Sequence, residues 1–457
     1  MTATRSDDLA DALFSTPAMS TVFTTTSQVR SMLAFEAALA HAQARLGLIP
    51  EAAAEAIEAA SSVGHFDVSA LCRAAVPAAS LAVPLVRELT ARVEGDAQRY
   101  VHFGATSQDA MDTALVLQMR DGFDLLESEL LTLADVCAAH AHAQRHTVMA
   151  GRTLLQQAVP VSFGLKAARW LTLVLRELRA LRALRPRVLV VQLGGAAGTL
   201  AAFGERGLDV VDELAGELGL GVPELPWHAE RDRIGEVASR LALLAGALGK
   251  IALDLTLLAQ TEVAEVAEGV APGKGASSAM PQKRNPVDAV EALAAARLAV
   301  AAASGLLGGL IQEHERAIGA WQAEWSALPN LFRWTSGALA HVHAGLADLE
   351  VDADRMRANL EQTHGLIMAE SLATALTQRI GRAAAYELVQ AATRRVASSG
   401  GTLANVAGQD SAIASALPGS QLERALDPAA YLGSTDQLID RALASYRREG
   451  GGTRASR

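Results

Sequence analysis

The segment Pro272-Gly-Lys-Gly-Ala-Ser-Ser-Ala-Met-Pro-Gln-Lys-Arg-Asn-Pro286 gathers two serines, two lysines and an arginine into one short stretch. Gly273 and Gly275 loosen its start. Asn285 followed by Pro286 reads as a helix N-cap with proline at the first helical position. A mobile loop of this kind ends on a helix N-terminus, where free amides, the helix dipole and Lys283 together make an anion site. A serine hydroxyl is a very weak acid and acts as a base only after losing its proton. A cationic pocket rich in amide donors is what stabilises such an alkoxide. The chemistry this predicts is proton transfer at carbon beside an acid group, with Ser277 moving the proton. The alternative is an ordinary polar loop between helices, and the number of specified positions that coincide argues against it.

Two other clusters hold polar side chains or glycines of possible chemical use. His140, His142 and His146 fall within Ala139–His146, and His142 and His146 share a helical face. No glutamate follows His142 and no third ligand is evident, so no metal site is expected. Leu193-Gly-Gly-Ala-Ala-Gly-Thr199 resembles a nucleotide loop only in its glycines. It lacks the strand–turn–helix setting and the Lys-Ser/Thr pair of a phosphate loop, so tight packing at glycines is expected there.

Long helices must position these groups. No proline falls between Pro160 and Pro186, Pro226 and Pro272, or Pro286 and Pro329, and helix interiors reject proline. Val237, Leu241, Leu244, Leu248, Ile251, Leu255 and Leu258 alternate steps of four and three, the seam of a helix bundle. A helix filling that whole gap would run about 65 Å. Leu171, Val174, Leu175, Leu178 and Leu181 share a second face, with Arg169, Arg176 and Arg179 off it. Strand signals are scarce: Val188–Leu193 alone looks like one, and in a helical setting it reads as a helix start or an extended link. Boundaries are expected near residues 111 and 350, with a helix entry at Val351-Asp-Ala-Asp354. The tail Arg447–Arg457, rich in glycine and charge, is expected to be disordered.

The 457 residues carry 40 Lys plus Arg against 50 Asp plus Glu, a formal net charge of −10. That balance argues against nucleic acid as a partner, because phosphate binding needs a basic surface. Half the residues are hydrophobic but only 4% are aromatic, so the apolar mass is mostly Ala, Leu and Val, which suits close-packed helices. A chain this long buries a core without disulfide or metal staples. Two cysteines, Cys72 and Cys137, exclude a disulfide scaffold and suggest a reducing compartment. Met1–Asp8 has no apolar signal-peptide core, and Ala12–Val29, Val188–Gly204 and Leu298–Gln312 fall short of the ~20 apolar residues of a membrane helix. A soluble cytoplasmic protein with no membrane partner is expected.

The 272–286 segment resembles the signature of the fumarase/aspartase superfamily, Gly-Ser-Ser-x-Met-Pro-x-Lys-x-Asn-Pro. His102-Phe-Gly-Ala-Thr-Ser-Gln-Asp109 is similar to its first signature region, and Gly151-Arg-Thr-Leu-Leu-Gln156 lies where the second does. Gln312-Glu-His-Glu-Arg-Ala-Ile-Gly-Ala-Trp-Gln-Ala-Glu-Trp325 resembles one branch, the bacterial 3-carboxy-cis,cis-muconate cycloisomerases. Leu13–Met19, Phe35–Leu39 and Tyr431–Gly433 fit that branch too, so the likeness covers nearly the whole chain. It implies an all-α fold of three domains with a long central five-helix bundle, here 1–111, 112–350 and 351–457. It implies a homotetramer packed through four bundles, with each active site assembled from three subunits and no cofactor. Ser277 matches the catalytic serine. Ser278, Lys283, Asn285, Thr106, Ser107 and Gln156 match positions that hold a small polycarboxylate substrate. His102 and Arg316 belong to the site by position, either touching substrate or supporting residues that do. Thr106 and Ser107 also suit a plain cap for a helix starting near Asp109.

Three positions depart from the family pattern. Leu154 stands where many members carry histidine, and Val290 where its glutamate partner lies; Glu291 is one step further, about 100° around a helix. A general acid protonates a poor leaving group such as an amine or hydroxide. A carboxylate, with a pKa near about 4, departs unaided. Loss of both halves of the pair points away from fumarase, aspartase and amine-releasing lyases. It points toward an intramolecular lyase, a cycloisomerase interconverting 3-carboxy-cis,cis-muconate and 4-carboxymuconolactone in aromatic-acid breakdown through protocatechuate. A lyase expelling nitrite from nitrosuccinate meets the same condition. An adenylosuccinate-lyase-like enzyme and a non-catalytic structural tetramer are further readings; retention of Ser277, Lys283 and Asn285 argues against the last. The third departure is Ala276, where relatives usually carry glycine. Alanine tolerates φ > 0 poorly, so a different loop path is expected there.

Overall fold

The computed structural model describes residues 9–450; Met1–Asp8 and 451–457 lie outside the described residues. The helix Thr435–Arg448 takes in the first two residues of the tail expected to be disordered, so order extends past Arg447.

The fold is all-α. Its five longest helices in the central part of the chain are α1 (Ser107–Ala143), α2 (Phe163–Val188), α3 (Asp232–Ala259), α4 (Val287–Gly308) and α5 (Ala320–Ala347). In α3 the seven seam residues from Val237 to Leu258 are all buried, as their spacing predicts. The helix fills 28 residues, about 42 Å, and not the whole proline-free gap. The chain turns away at Ala264, which takes φ +51°, and enters a short strand. Proline is also less of a barrier than the sequence suggests: α2 runs through Pro186 and α5 through Pro329. Each costs one backbone hydrogen bond, and burial of Leu184 and Val188, or of Leu328, Leu331 and Phe332, holds the turn around it.

The strand content differs from the sequence reading. β1 (Val148–Thr153) pairs antiparallel with β2 (Gln156–Ser162), and the Thr153↔Gln156 register leaves Leu154-Leu155 as a two-residue turn. Both leucines sit at positive φ, +51° and +64°, as such turns require. Glycine or asparagine is usual there, which is why no turn signal announced the hairpin. Val188–Leu193 is a helix end followed by an extended link, with Val190 bridging Gly221. A second pair joins β3 (Val266–Ala267) to β4 (Glu350–Val351). The helix Ala353–Glu361 then starts where expected, capped by the Asp352 side chain on Arg355 N.

The chain divides into two compact units, Met1–Leu130, Glu177–Gly249 and Glu291–His341 on one hand, and Leu131–Arg176, Lys250–Val290 and Val342–Arg457 on the other. The core of the first includes Met32, Leu33, Phe35, Leu85, Leu89 and Leu214; that of the second includes Leu372, Leu376, Val389, Leu403 and Ile413. By length and composition alone α3 and α4 are long and apolar enough to cross a membrane, which the shorter stretches weighed in the sequence did not show. The bundle seam accounts for part of that apolar content in α3. Leu243, Leu253 and Leu257 of α3, with Val290, Val300 and Leu307 of α4, are exposed.

Candidate active site

In the first unit, the 102–109 segment leads into α1. Thr106 O accepts from Asp109 N at 3.0 Å and Ala110 N at 3.4 Å, and Asp109 Oδ2 accepts from Thr106 N at 2.9 Å. The Asp109 side chain thus caps the Thr106 amide, while the Thr106 hydroxyl accepts no helix amide among the described residues, so the plain capping role weighed for it is not what the structure shows. Asp109 is fully buried and accepts three more bonds: Gly194 N and Gly195 N at 2.9 Å each, and His228 Nε2 at 2.7 Å. The glycine loop 193–199 therefore spends amides on a protein carboxylate. Arg316 comes to the same place. Its Nε donates to Gln108 Oε1 at 3.0 Å, and its terminal nitrogens reach Ala196 O at 3.3 Å and Thr106 Oγ1 at 3.5 Å. The structure brings Thr106 and Arg316 together; Ser107, the first residue of α1, is half-buried.

His102 is held at φ +58°, and its Nδ1 lies 2.7 Å from Glu36 Oε1. Burial works against a charged ring here, but the charge and hydrogen bond of Glu36, helped by Asp109, outweigh it and hold the imidazole above its ordinary pKa. The adjoining Gly104, at φ +78°, has the Phe203 ring where a Cβ would be, at 2.4 Å. Only glycine lets the chain pass between His102 and Thr106.

Behind these residues is a buried ionic network. Arg231 donates to Asp112 at 2.7 and 3.1 Å and to Glu324 at 3.1 and 2.5 Å, with its guanidinium 4.7 Å from the Trp227 ring centre. Trp321 Nε1 donates to Asp112 Oδ1 at 3.0 Å. Burial opposes the Arg231 charge, and the two carboxylates more than offset that, so it stays protonated.

In the second unit, the two glutamates that flank β3 anchor both remaining regions. Glu265, fully buried, binds Arg152 of β1 at 2.9 and 2.7 Å and Asn359 Nδ2 at 2.8 Å. That fixes the hairpin whose tip is Leu154-Leu155, followed by the exposed Gln156. Glu268, three residues on, accepts from Asp288 N at 3.1 Å and Ala289 N at 2.9 Å. Glu268 therefore caps α4. Asn285, read from the sequence as the cap, instead donates Nδ2 to Gly275 O at 3.2 Å. The helix amides foreseen as free for an anion are taken by this carboxylate, and Lys274 lies 2.6 Å from Asp288 and 3.7 Å from Glu268. The amide-rich setting of Ser277 comes from the loop itself: Oγ accepts from Ala279 N at 3.3 Å and Met280 N at 3.1 Å. Ser278 and Lys283 are exposed.

The left-handed positions of the loop are Gly273, at φ +80°, and Gly275, at φ +67°, where a Cβ would meet Asn285 O at 2.6 Å. Ala276 does not take positive φ, so its methyl group is accommodated without backbone strain. Of the histidine cluster, His140 Nε2 bonds Leu346 O at 2.8 Å, and no group of three or more metal-ligating side chains occurs among the described residues. The nine residues singled out thus form three groups: His102, Thr106, Ser107 and Arg316 in the first unit, and Gln156 and the 272–286 loop in the second. Glu36, Asp109, Arg231, Glu265 and Glu268, which hold these groups, were not singled out in the sequence. Their partners are distant in the chain, as Arg231 and Asp112 are at 119 residues apart, so no local spacing marks them.

Residues 13–301 match a family model described as lyase, and 365–442 one described as adenylosuccinate lyase C-terminus. A Pseudomonas aeruginosa protein named 3-carboxy-cis,cis-muconate cycloisomerase is 48% identical over 443 residues, covering 96% of each chain. A nitrosuccinate lyase from Streptomyces davaonensis is 45% identical over 424 residues, covering 90% of this chain and 89% of that one. The crystal structure of 3-carboxy-cis,cis-muconate lactonizing enzyme from Pseudomonas putida superposes with a TM-score of 0.92 at 46% identity, covering 96% of this chain and 99% of that one. The chain belongs to the lyase family of the fumarase/aspartase superfamily, and it is an enzyme of that superfamily.

Proposed function

We propose that the protein is a cofactor-free cycloisomerase interconverting 3-carboxy-cis,cis-muconate and 4-carboxymuconolactone. The observation that carries the mechanism is the pair of main-chain amides on Ser277 Oγ, which favours the deprotonated oxygen. In the lactonising direction a substrate carboxylate adds across the conjugated double bond. Electrons collect on the neighbouring carbon as an enolate-like carboxylate. Lys283, Asn285, Thr106 and Ser107 hold that charge, with Ser278, Gln156, His102 and Arg316 completing the site. Ser277 delivers the proton to carbon, or removes it in reverse. The departing carboxylate needs no proton, which suits an apolar Leu154 and Val290. Closure of the 272–286 loop moves Asn285 off Gly275, excludes water and places Ser277.

We further propose a soluble, cytoplasmic homotetramer whose active sites are shared between subunits. The exposed leucines and valines of α3 and α4, and the exposed Leu154-Leu155 tip, support that reading, since a second copy would cover them. The test is an ultraviolet assay following loss of the conjugated diene of 3-carboxymuconate. The relative named nitrosuccinate lyase favours a second reading, because nitrite also leaves without a general acid. Inertness toward carboxymuconate with fumarate appearing from nitrosuccinate would establish that one instead.

A further inference from the structure

Arg231 and Arg316 lie in the same unit and are held in opposite ways. Arg231 is fully buried and spends its charge on two carboxylates, Asp112 and Glu324. Arg316 is half-buried and meets only neutral oxygens: Gln108 Oε1, Ala196 O and Thr106 Oγ1. No carboxylate pairs with it among the described residues. A guanidinium bonded to neutral acceptors is fixed in place and keeps its full charge for an incoming anion.

The shortest of its three bonds, 3.0 Å, is the one to Gln108, whose side chain has only one workable orientation. Gln108 is buried, and its amide nitrogen donates to Asp112 Oδ2 at 3.1 Å and to His228 O at 2.9 Å, so both of its N–H bonds are used. Turned over, the amide would set its oxygen against that carboxylate and that carbonyl, and its nitrogen against the guanidinium. The oxygen therefore faces Arg316 Nε. Asp112 is pinned in turn, by Arg231 on both oxygens and by the Trp321 indole. The buried ion network ends on a neutral amide, and through it reaches Arg316 without taking its charge. A glutamate at this position would have the same reach and shape but would cancel that charge.

We propose that Gln108 is a positioning residue for the reaction, a role that rests on the cycloisomerase reading above for the identity of the acid. It orients Arg316 through an uncharged acceptor, so that the guanidinium stands ready and unneutralised to take one carboxylate of the substrate. Gln108 acts through Arg316 and does not itself meet the substrate.

A double-mutant cycle in steady-state kinetics reads this role directly. Gln108→Met and Arg316→Met each raise KM by roughly tenfold or more, the worth of a charge-assisted bond, and change kcat less. The double variant is no worse than Arg316→Met alone, because the effect of Gln108 passes through Arg316. Gln108→Glu keeps the acceptor and the shape, so a packing role predicts wild-type KM there, whereas neutralisation of Arg316 raises KM as far as Gln108→Met does. All four proteins are assayed on the acid the wild type consumes, carboxymuconate or nitrosuccinate. Failure of the cycloisomerase reading then shows in the wild type, and failure of this role only in the variants. Wild-type KM in either Gln108 variant, a loss of kcat with KM unmoved, or additive losses in the double variant would each overturn the proposal. If Gln108→Glu does not fold with its new charge beside Asp112, the methionine cycle decides alone.

Discussion

The start of α1 and the 272–286 loop carry the two halves of the proposed chemistry, and they are built in opposite ways. At α1, Asp109, Asp112, His228, Arg231 and Glu324 are all buried, and each is held by side chains or amides from distant parts of the chain. The loop has Ser278, Met280 and Lys283 exposed, and the bonds on Ser277 and Asn285 come from within the segment itself. A group that binds charge works best when it is rigid before the substrate arrives. A group that must reach a carbon, and then let product leave, works best on a segment that moves. The two ends of the loop are tied down, by Lys274 on Asp288 and Glu268 and by Arg284 on Glu350 and the Glu268 carbonyl.

Ser277→Ala breaks the comparison most sharply. Turnover of 3-carboxymuconate should fall by about 10²–10⁴-fold while the urea unfolding midpoint stays put, because the side chain bonds only its own loop. Unchanged turnover would remove serine from the mechanism. Arg231→Ala is the reverse experiment. It leaves Asp112 and Glu324 buried without their counter-charge and should cost about 3–5 kcal/mol, read as a large drop in the urea midpoint. A midpoint within error of wild type would mean that the rigid half owes nothing to this ion network.

Glu268→Ala tests the boundary between the two designs. It uncaps Asp288 N and Ala289 N and frees Lys274 from one of its acids. Stability should fall by about 1–2 kcal/mol, with limited proteolysis cutting first in 272–286. If cleavage begins elsewhere, these ties are not what steadies the loop.

These residues also show what the sequence made legible. The α3 seam was readable because helical periodicity is local, and the Ser277 segment because its chemistry is contiguous. The hairpin was hidden because Leu154-Leu155 fills with leucine two positions where glycine or asparagine is the usual marker. The α4 cap was misassigned because Asn285 has the right type and place, while the carboxylate that wins comes from just after β3, 20 residues before Asp288. Glu36 was invisible as a site residue because its partner His102 is 66 residues away.

That last pair gives the smallest effect and the one that best refines the rigid half. Glu36 holds the His102 imidazole above its ordinary pKa against burial, so the folded protein keeps a cation at His102 to higher pH than an unfolded chain would. A folded pKa raised above the unfolded value of about 6.5 contributes stability that is complete below that value and is lost as pH rises through the folded pKa. In Glu36→Gln the cation loses its counter-charge while burial remains, so the ring should deprotonate at lower pH. The variant should be destabilised by about 1 kcal/mol more at pH 6 than at pH 9, measured by urea unfolding at both. If the protonated ring also helps hold substrate carboxylate, the alkaline fall in kcat/KM moves to lower pH in the same variant, with kcat less affected. A stability loss equal at both pH values would show that Glu36 serves packing and leaves the charge of His102 to its other neighbours.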